Sequence, residues 1–292
     1  MIRPRLRTLV ATRLPIDAFL VAGGALVAFR LLGIAPWVHP TLDFHAYWTT
    51  RDGLDYGGSN PFLIGAYLYS PAFAQALLPI TLLPWHVFAA VWTALILGAY
   101  VWIVGRWAFP LLLAFAVALE LYLGQIDILL AAAIVAGFRW PAAWAFPLLT
   151  KVAPGVGLVW FAVRREWRNL AIALGATAAL VAASALFSPQ AWGDWLDLLR
   201  RNALETRAMD GAFFAIPLLL RLPVAIAVIV WGALTDRRWV VPIGVLLAMP
   251  VLWTNVFTLL IAVIPLRAGA TTPAAAWLRG SSSPVPGARP AP

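Results

Sequence analysis

Pro84–Arg106 reads PWHVFAAVWTALILGAYVWIVGR. Between the proline that opens it and the arginine that closes it there is no fixed charge and no further proline. At about 1.5 Å of rise per helical residue, a run of this length crosses the roughly 30 Å hydrocarbon layer of a bilayer. Residues 84 to 104 are therefore read as a complete membrane-spanning helix that returns to the cytoplasm at Arg106.

The rest of the chain agrees with that reading. It has 292 residues, 63% of them hydrophobic and 11% charged, with a mean hydropathy of +0.87, values that belong to a polytopic membrane protein rather than a soluble domain. Inside lipid the backbone must satisfy its own polar groups, which leaves helices or a closed barrel. The alternating-polarity segments of a barrel are missing, so the expected fold class is an all-α polytopic membrane protein. Its integral membrane domain is expected to cover residues 1–267 with about ten apolar segments, several of them short. The Ala-, Pro-, Ser- and Gly-rich residues 268–292 read as a disordered tail.

The net charge of +9 arises from twenty arginines and the single Lys151 against twelve acids. Those arginines stand singly or in short groups between apolar segments, which is a topological pattern and not a nucleic-acid footprint. There is no cysteine, and His39, His45 and His86 are too scattered for a zinc motif, so no metal site and no cofactor is expected. No Walker loop, dinucleotide fingerprint or Ser-His-Asp order appears. Without a soluble nucleotide-binding domain, an activated substrate would arrive through the membrane as a lipid-linked donor.

Arg3, Arg5, Arg7 and Arg13 put the N-terminus in the cytoplasm and send a first helix, residues 15 to 35, outward. Residues 36 to 70 form a polar outer loop, and 71 to 83, too short to span, lie in the outer interface. Arg106, Arg139, Arg164-Arg165, Arg237-Arg238 and Arg267 all belong on the cytoplasmic side only if the intervening blocks are short re-entrant-like hairpins. Their polar tips would be Gly124-Gln125-Ile126-Asp127, Thr150-Lys151 and Trp253-Thr254-Asn255. Single tilted spans are the alternative. Residues 190 to 211 carry Trp192, Trp195, Leu198 and Leu199 at helical spacing and read as an amphipathic helix on the outer interface.

One stretch is poorly explained by packing: Asp43-Phe44-His45-Ala46-Tyr47-Trp48, just beyond the first apolar segment. A carboxylate at the mouth of a helix bundle, followed by aromatics, suits a general base meeting a sugar or lipid headgroup. The plainer role is an aspartate capping a short helix. Asp52 and Asp55 fit a Gly-rich turn. Lys151, set in an apolar stretch, is a candidate for a phosphate or anionic headgroup, against simple snorkelling to the interface. Gln125 and Asp127, with Glu120 shortly before them, could hydrogen-bond sugar hydroxyls or satisfy a turn. Arg200, Arg201 and Arg207 oppose the positive-inside bias and so are phosphate candidates, as is Arg221.

Taken in order, Asp43-Phe44 with Tyr47-Trp48, Asn60-Pro61-Phe62, Tyr69-Ser70-Pro71, Leu82-Leu83-Pro84, Gly124-Gln125, Lys151 to Pro154, Arg164 to Arg168 and Pro250-Val251-Leu252-Trp253 resemble glycosyltransferase family 87 over roughly residues 10 to 266. The resemblance implies a polyprenol-phosphate-mannose-dependent, inverting hexosyltransferase with a GT-C-like helix bundle. It would sit in the plasma membrane of the cell envelope, with its active site on the extracytoplasmic face. It implies Asp43 as the base. Lys151, an outer-loop arginine (Arg200, Arg201 or Arg221), Tyr47, Gln125, Asp127, Trp253 and Asn255 would bind a polyprenyl-phosphate sugar and a lipid or glycan acceptor. Where the family often has a histidine after its late tryptophan, this chain has Thr254 and Asn255. A catalytically inactive envelope-assembly scaffold and a lipid-linked-sugar transporter are the competing readings.

Overall fold

The computed structural model describes residues 43–56, 66–205, 216–267 and 269–280, and among them every regular element is a helix. The expected first span and the Asn60-Pro61-Phe62 motif lie outside the described residues. In chain order the α-helices are α1 (Asp43–Thr49), α2 (Pro71–Thr81), α3 (Trp85–Val104), α4 (Ala108–Leu112), α5 (Phe115–Leu123), α6 (Asp127–Gly137) and α7 (Ala145–Thr150). They continue with α8 (Val159–Val163), α9 (Trp167–Phe187), α10 (Pro189–Glu205), α11 (Leu218–Leu234), α12 (Val241–Ala248), α13 (Val263–Leu266) and α14 (Pro273–Arg279).

Among the described residues two stretches are long and apolar enough to cross a membrane: Trp85–Leu112 and Trp167–Phe187, each of mean hydropathy 2.2. The decisive run of the sequence is thus one helix, bounded by Pro84 and by Gly105. Only 11% of the most apolar window of α9 is buried, so nearly its whole circumference is an apolar surface of the kind lipid covers. The pair α5 and α6 makes a third span if counted as one, but it bends by 106° at Gly124–Ile126. The polar tip expected at Gly124 to Asp127 is thus a sharp bend between two short helices, and its cause is local. Gly124 ends α5 in the left-handed conformation, at φ 68°. The Glu120 carboxylate then accepts the amides of Asp127 at 2.6 Å and Ile128 at 3.4 Å, satisfying donors that open the next helix.

Helix α2 has 11 residues with Pro79 inside, too short to span, as its composition predicts. Helix α10 begins within one residue of the expected amphipathic segment, whose residues 206 to 211 lie outside the described residues, and buries Trp195 and Leu198 against Tyr56. The interruptions expected near Thr150-Lys151 and Trp253-Asn255 are present. Lys151 ends α7 ahead of a 3-10 turn at Ala153–Leu158, and Trp253 precedes another at Thr254–Ala262.

The tail departs from its expected disorder over residues 273–279. Thr272 caps the helix by accepting the amide of Ala275 at 3.2 Å, Pro273 occupies its first turn, and Ala274 and Ala275 are buried. Pro273 fits because Gly105 offers no side chain; a Cβ there would stand 2.8 Å from the Pro273 Cδ. Trp277 packs edge-on to Trp102 and Trp140, and Arg139 donates to its carbonyl at 2.5 Å. Small residues that read as low complexity are here the ones that permit close helix packing.

Candidate active site at the α5–α6 bend

Asp43 opens α1, where a carboxylate is favoured by the unpaired amides of the first turn. The helix has only seven residues and is held by its aromatics. Phe44 stacks on Trp85 with centroids 4.9 Å apart, Tyr47 meets Trp92 edge-on at 5.1 Å, and Trp48 donates to the Leu83 carbonyl at 3.0 Å. These contacts join α1 to the start of α3, while the Trp92 indole donates to the Gly124 carbonyl at 2.7 Å and brings in the bend.

Two polar groups meet there. In the first, Gln125 Nε2 donates to Asp43 Oδ2, while Gln125 Oε1 accepts from Tyr69 at 3.1 Å and from Tyr47 at 3.5 Å. The two phenol oxygens are 3.2 Å apart. Burial pushes both phenols above their ordinary pKa, so they stay protonated and able to donate. In the second, Lys151 Nζ contacts Asp127 Oδ1 at 2.6 Å, with the Asp127 side chain fully buried and that of Lys151 17% exposed. Asn255 Nδ2 bridges Asp127 at 3.2 Å and Glu120 at 3.0 Å. Gln125 and Asp127 are two residues apart, so the bend presents a carboxylate–amide pair and an ammonium–carboxylate pair along one seam.

The structure therefore assembles Asp43, Tyr47, Gln125, Asp127, Lys151 and Asn255 around the bend. Trp253 adjoins this group in sequence and is 38% exposed. The arginines are placed elsewhere. Arg200 pairs with Asp197 at 2.7 Å on the exposed face of α10, and Arg201 donates to the Tyr56 carbonyl at 2.8 Å. Arg207 lies outside the described residues. Arg221, a phosphate candidate by sequence, is buried, and its guanidinium is engaged by backbone. It donates to the carbonyls of Ile216, Leu247, Met249 and Pro250 at 2.8 to 2.9 Å. Sequence reasoning missed Tyr69 as a site residue and underused Glu120. Tyr69 was visible only inside the Tyr69-Ser70-Pro71 motif.

At the other end of α1 a cleft of about 380 Å³ is lined by Thr49, Thr50, Asp52, Asp55 and Tyr67. Asp52 also pairs with Arg51 at 3.5 Å, and Arg51 lies over the Trp48 ring, 3.6 Å from its centre. Among the described residues no three His, Asp or Glu side chains are grouped to hold a metal ion.

The family model for glycosyltransferase family 87 matches residues 67–281. That range includes Tyr69, the α5–α6 bend, Lys151 and Asn255, and it starts after Asp43. No curated protein and no solved structure matches the chain.

Proposed function

Since the chain belongs to glycosyltransferase family 87, its activity is that of a glycosyltransferase, and we propose that it moves a hexose, with mannose the first candidate, from a polyprenyl-phosphate donor to a lipid or glycan acceptor. Asp43 removes the proton of the acceptor hydroxyl. The acceptor oxygen attacks the anomeric carbon from the face opposite the phosphate, the carbon–phosphate oxygen bond breaks, and polyprenyl phosphate leaves with inversion. Lys151 meets the negative charge that gathers on the departing phosphate. Asp127 holds it in place for that purpose, and Asn255 in turn donates to Asp127. A cation pre-set in this way needs little reorganisation at the moment of reaction.

The observation that carries this reading is the seam at the bend, where Gln125 meets the proposed base and Asp127, two residues on, meets the only lysine. A buried ion pair at membrane depth is costly, and such residues are functional by default. The helices then form a GT-C-like multi-pass bundle in the cell membrane. The arginine pattern supports a cytoplasmic N-terminus and an extracytoplasmic site. The cleft lined by Thr49, Asp52 and Asp55 has the polar character that sugar hydroxyls of an acceptor require.

The test is transfer from radiolabelled polyprenyl-phosphate mannose in proteoliposomes, comparing the intact protein with Asp43→Asn. Loss of transfer in the variant, with folding and donor binding retained, is the expected result. Equal transfer by both removes Asp43 from the mechanism. Absence of transfer by either, across mannose and other lipid-linked hexoses, favours a scaffold.

A further inference from the structure

Gln125 stands between partners of opposite hydrogen-bonding character. An ionised carboxylate accepts and cannot donate, so Asp43 selects the amide nitrogen. The phenols of Tyr69 and Tyr47 then donate to the amide oxygen, Tyr69 from the shorter distance of 3.1 Å. The nitrogen thus faces one acceptor and the oxygen two donors, and a single orientation of the amide satisfies all three.

Tyr69 is itself held from several sides. Tyr56 donates to its carbonyl at 2.7 Å, and the Trp195 indole of α10 donates to the adjoining Leu68 carbonyl at 3.1 Å. The Ser70 amide donates to the Leu149 carbonyl at 3.3 Å, which ties the same segment to the helix that ends at Lys151. A phenol fixed in this way can fix what it touches.

The geometry points to Tyr69 as a positioning residue that acts through Gln125 to hold the Asp43 carboxylate in one orientation toward the acceptor hydroxyl. This inference rests on the reading of Asp43 as the base. Tyr69 touches no reacting atom in this role, and its contribution is to the alignment of the proton acceptor. Its ring also packs edge-on against Tyr67 and Phe73, contacts that Tyr69→Phe preserves while removing the hydroxyl.

The experiment uses the full chain in proteoliposomes, with radiolabelled polyprenyl-phosphate mannose as donor and octyl mannoside as the acceptor probe. The proteins compared are wild type, Tyr69→Phe, Gln125→Ala, the double variant and Asp43→Asn. Tyr69→Phe should lower kcat by roughly tenfold, with both KM values within roughly twofold of wild type. In the Gln125→Ala background the same change should have no added effect, because the two side chains act as one unit. Wild-type kcat in Tyr69→Phe overturns the inference, and so does a raised KM with unchanged kcat, which would make Tyr69 a substrate ligand. If Asp43→Asn transfers normally, the base assignment fails and takes this inference with it. If Asp43→Asn is inactive and Tyr69→Phe is normal, the positioning role alone fails.

A second measurement needs no turnover. The infrared carboxylate stretch of Asp43, isolated as the difference between wild type and Asp43→Asn, should shift in Tyr69→Phe and in Gln125→Ala alike. An unmoved band in Tyr69→Phe overturns the coupling whether or not any of the proteins is active.

Discussion

Replacing Arg221 with methionine should damage stability and leave donor recognition alone. Arg221 lies in the first turns of α11, 6% exposed, and reaches across to the residues where α12 ends. Helix ends leave carbonyls without partners, and a cation beside them is doubly suited, by hydrogen bonding and by the helix dipole. Here one guanidinium serves the carbonyls of Leu247 in the last turn of α12, of Met249 and Pro250 just beyond it and, ahead of its own helix, of Ile216. Side-chain hydrogen bonds within membranes average about 0.6 kcal/mol, which for four bonds gives a lower figure of about 2 kcal/mol. Charged bonds in globular proteins start near 1.5 kcal/mol each, which gives an upper figure of about 6 kcal/mol. Arg221→Met keeps an unbranched apolar stem and removes every donor, so its cost should fall between those limits. Arg221→Lys should recover only part of the loss, because a single ammonium cannot reach Ile216 and Pro250 together. Denaturant unfolding in detergent, followed by tryptophan fluorescence, measures the first quantity. Donor binding by the folded fraction measures the second. Wild-type stability combined with donor affinity weakened by about tenfold or more would refute the reasoning, and would return Arg221 to the phosphate site.

Two other perturbations probe the frame around the bend. Gly124→Ala places a Cβ 2.9 Å from Phe44 Cδ1 on a backbone with φ 68°. It should cost about 1–2 kcal/mol for the left-handed conformation and a further ~1–3 kcal/mol of overpacking. Because Phe44 adjoins Asp43, transfer should also fall by roughly tenfold or more in protein that remains folded, and a variant with wild-type melting and rate would contradict this. Ending the chain after Arg267 removes the Trp277 contacts with Trp102, Trp140 and Arg139 and should destabilise the protein by about 2–4 kcal/mol. Unchanged unfolding of that truncated protein would show that α14 contributes nothing to the fold.

The local chemistry of the chain was sufficient for its membrane elements. Burial in lipid depends on side chains within one uninterrupted run, so Trp85–Val104 could be read directly. Period alone likewise marked α10 as amphipathic, and a proline with short length marked α2 as unable to span. The polar tips were legible because a Gln, an Asp or a Lys in such surroundings stands out. What those residues touch was not. Asp43 and Gln125 are 82 positions apart and Asn255 and Glu120 are 135 apart, so their meetings depend on how helices pack and leave no trace in either neighbourhood. Arg221 read as a phosphate candidate because it stands near the outer end of an apolar segment, and only the tertiary structure reveals that its guanidinium donates to Ile216 and to carbonyls where α12 ends. The tail looked disordered because alanine, proline and glycine are poor at burying area, yet Gly105 leaves a gap that Pro273 fills. Membrane insertion is decided by transfer free energies summed over consecutive residues, which a sequence contains. The site is decided by side-chain contacts between distant segments, which arise only once those segments have packed.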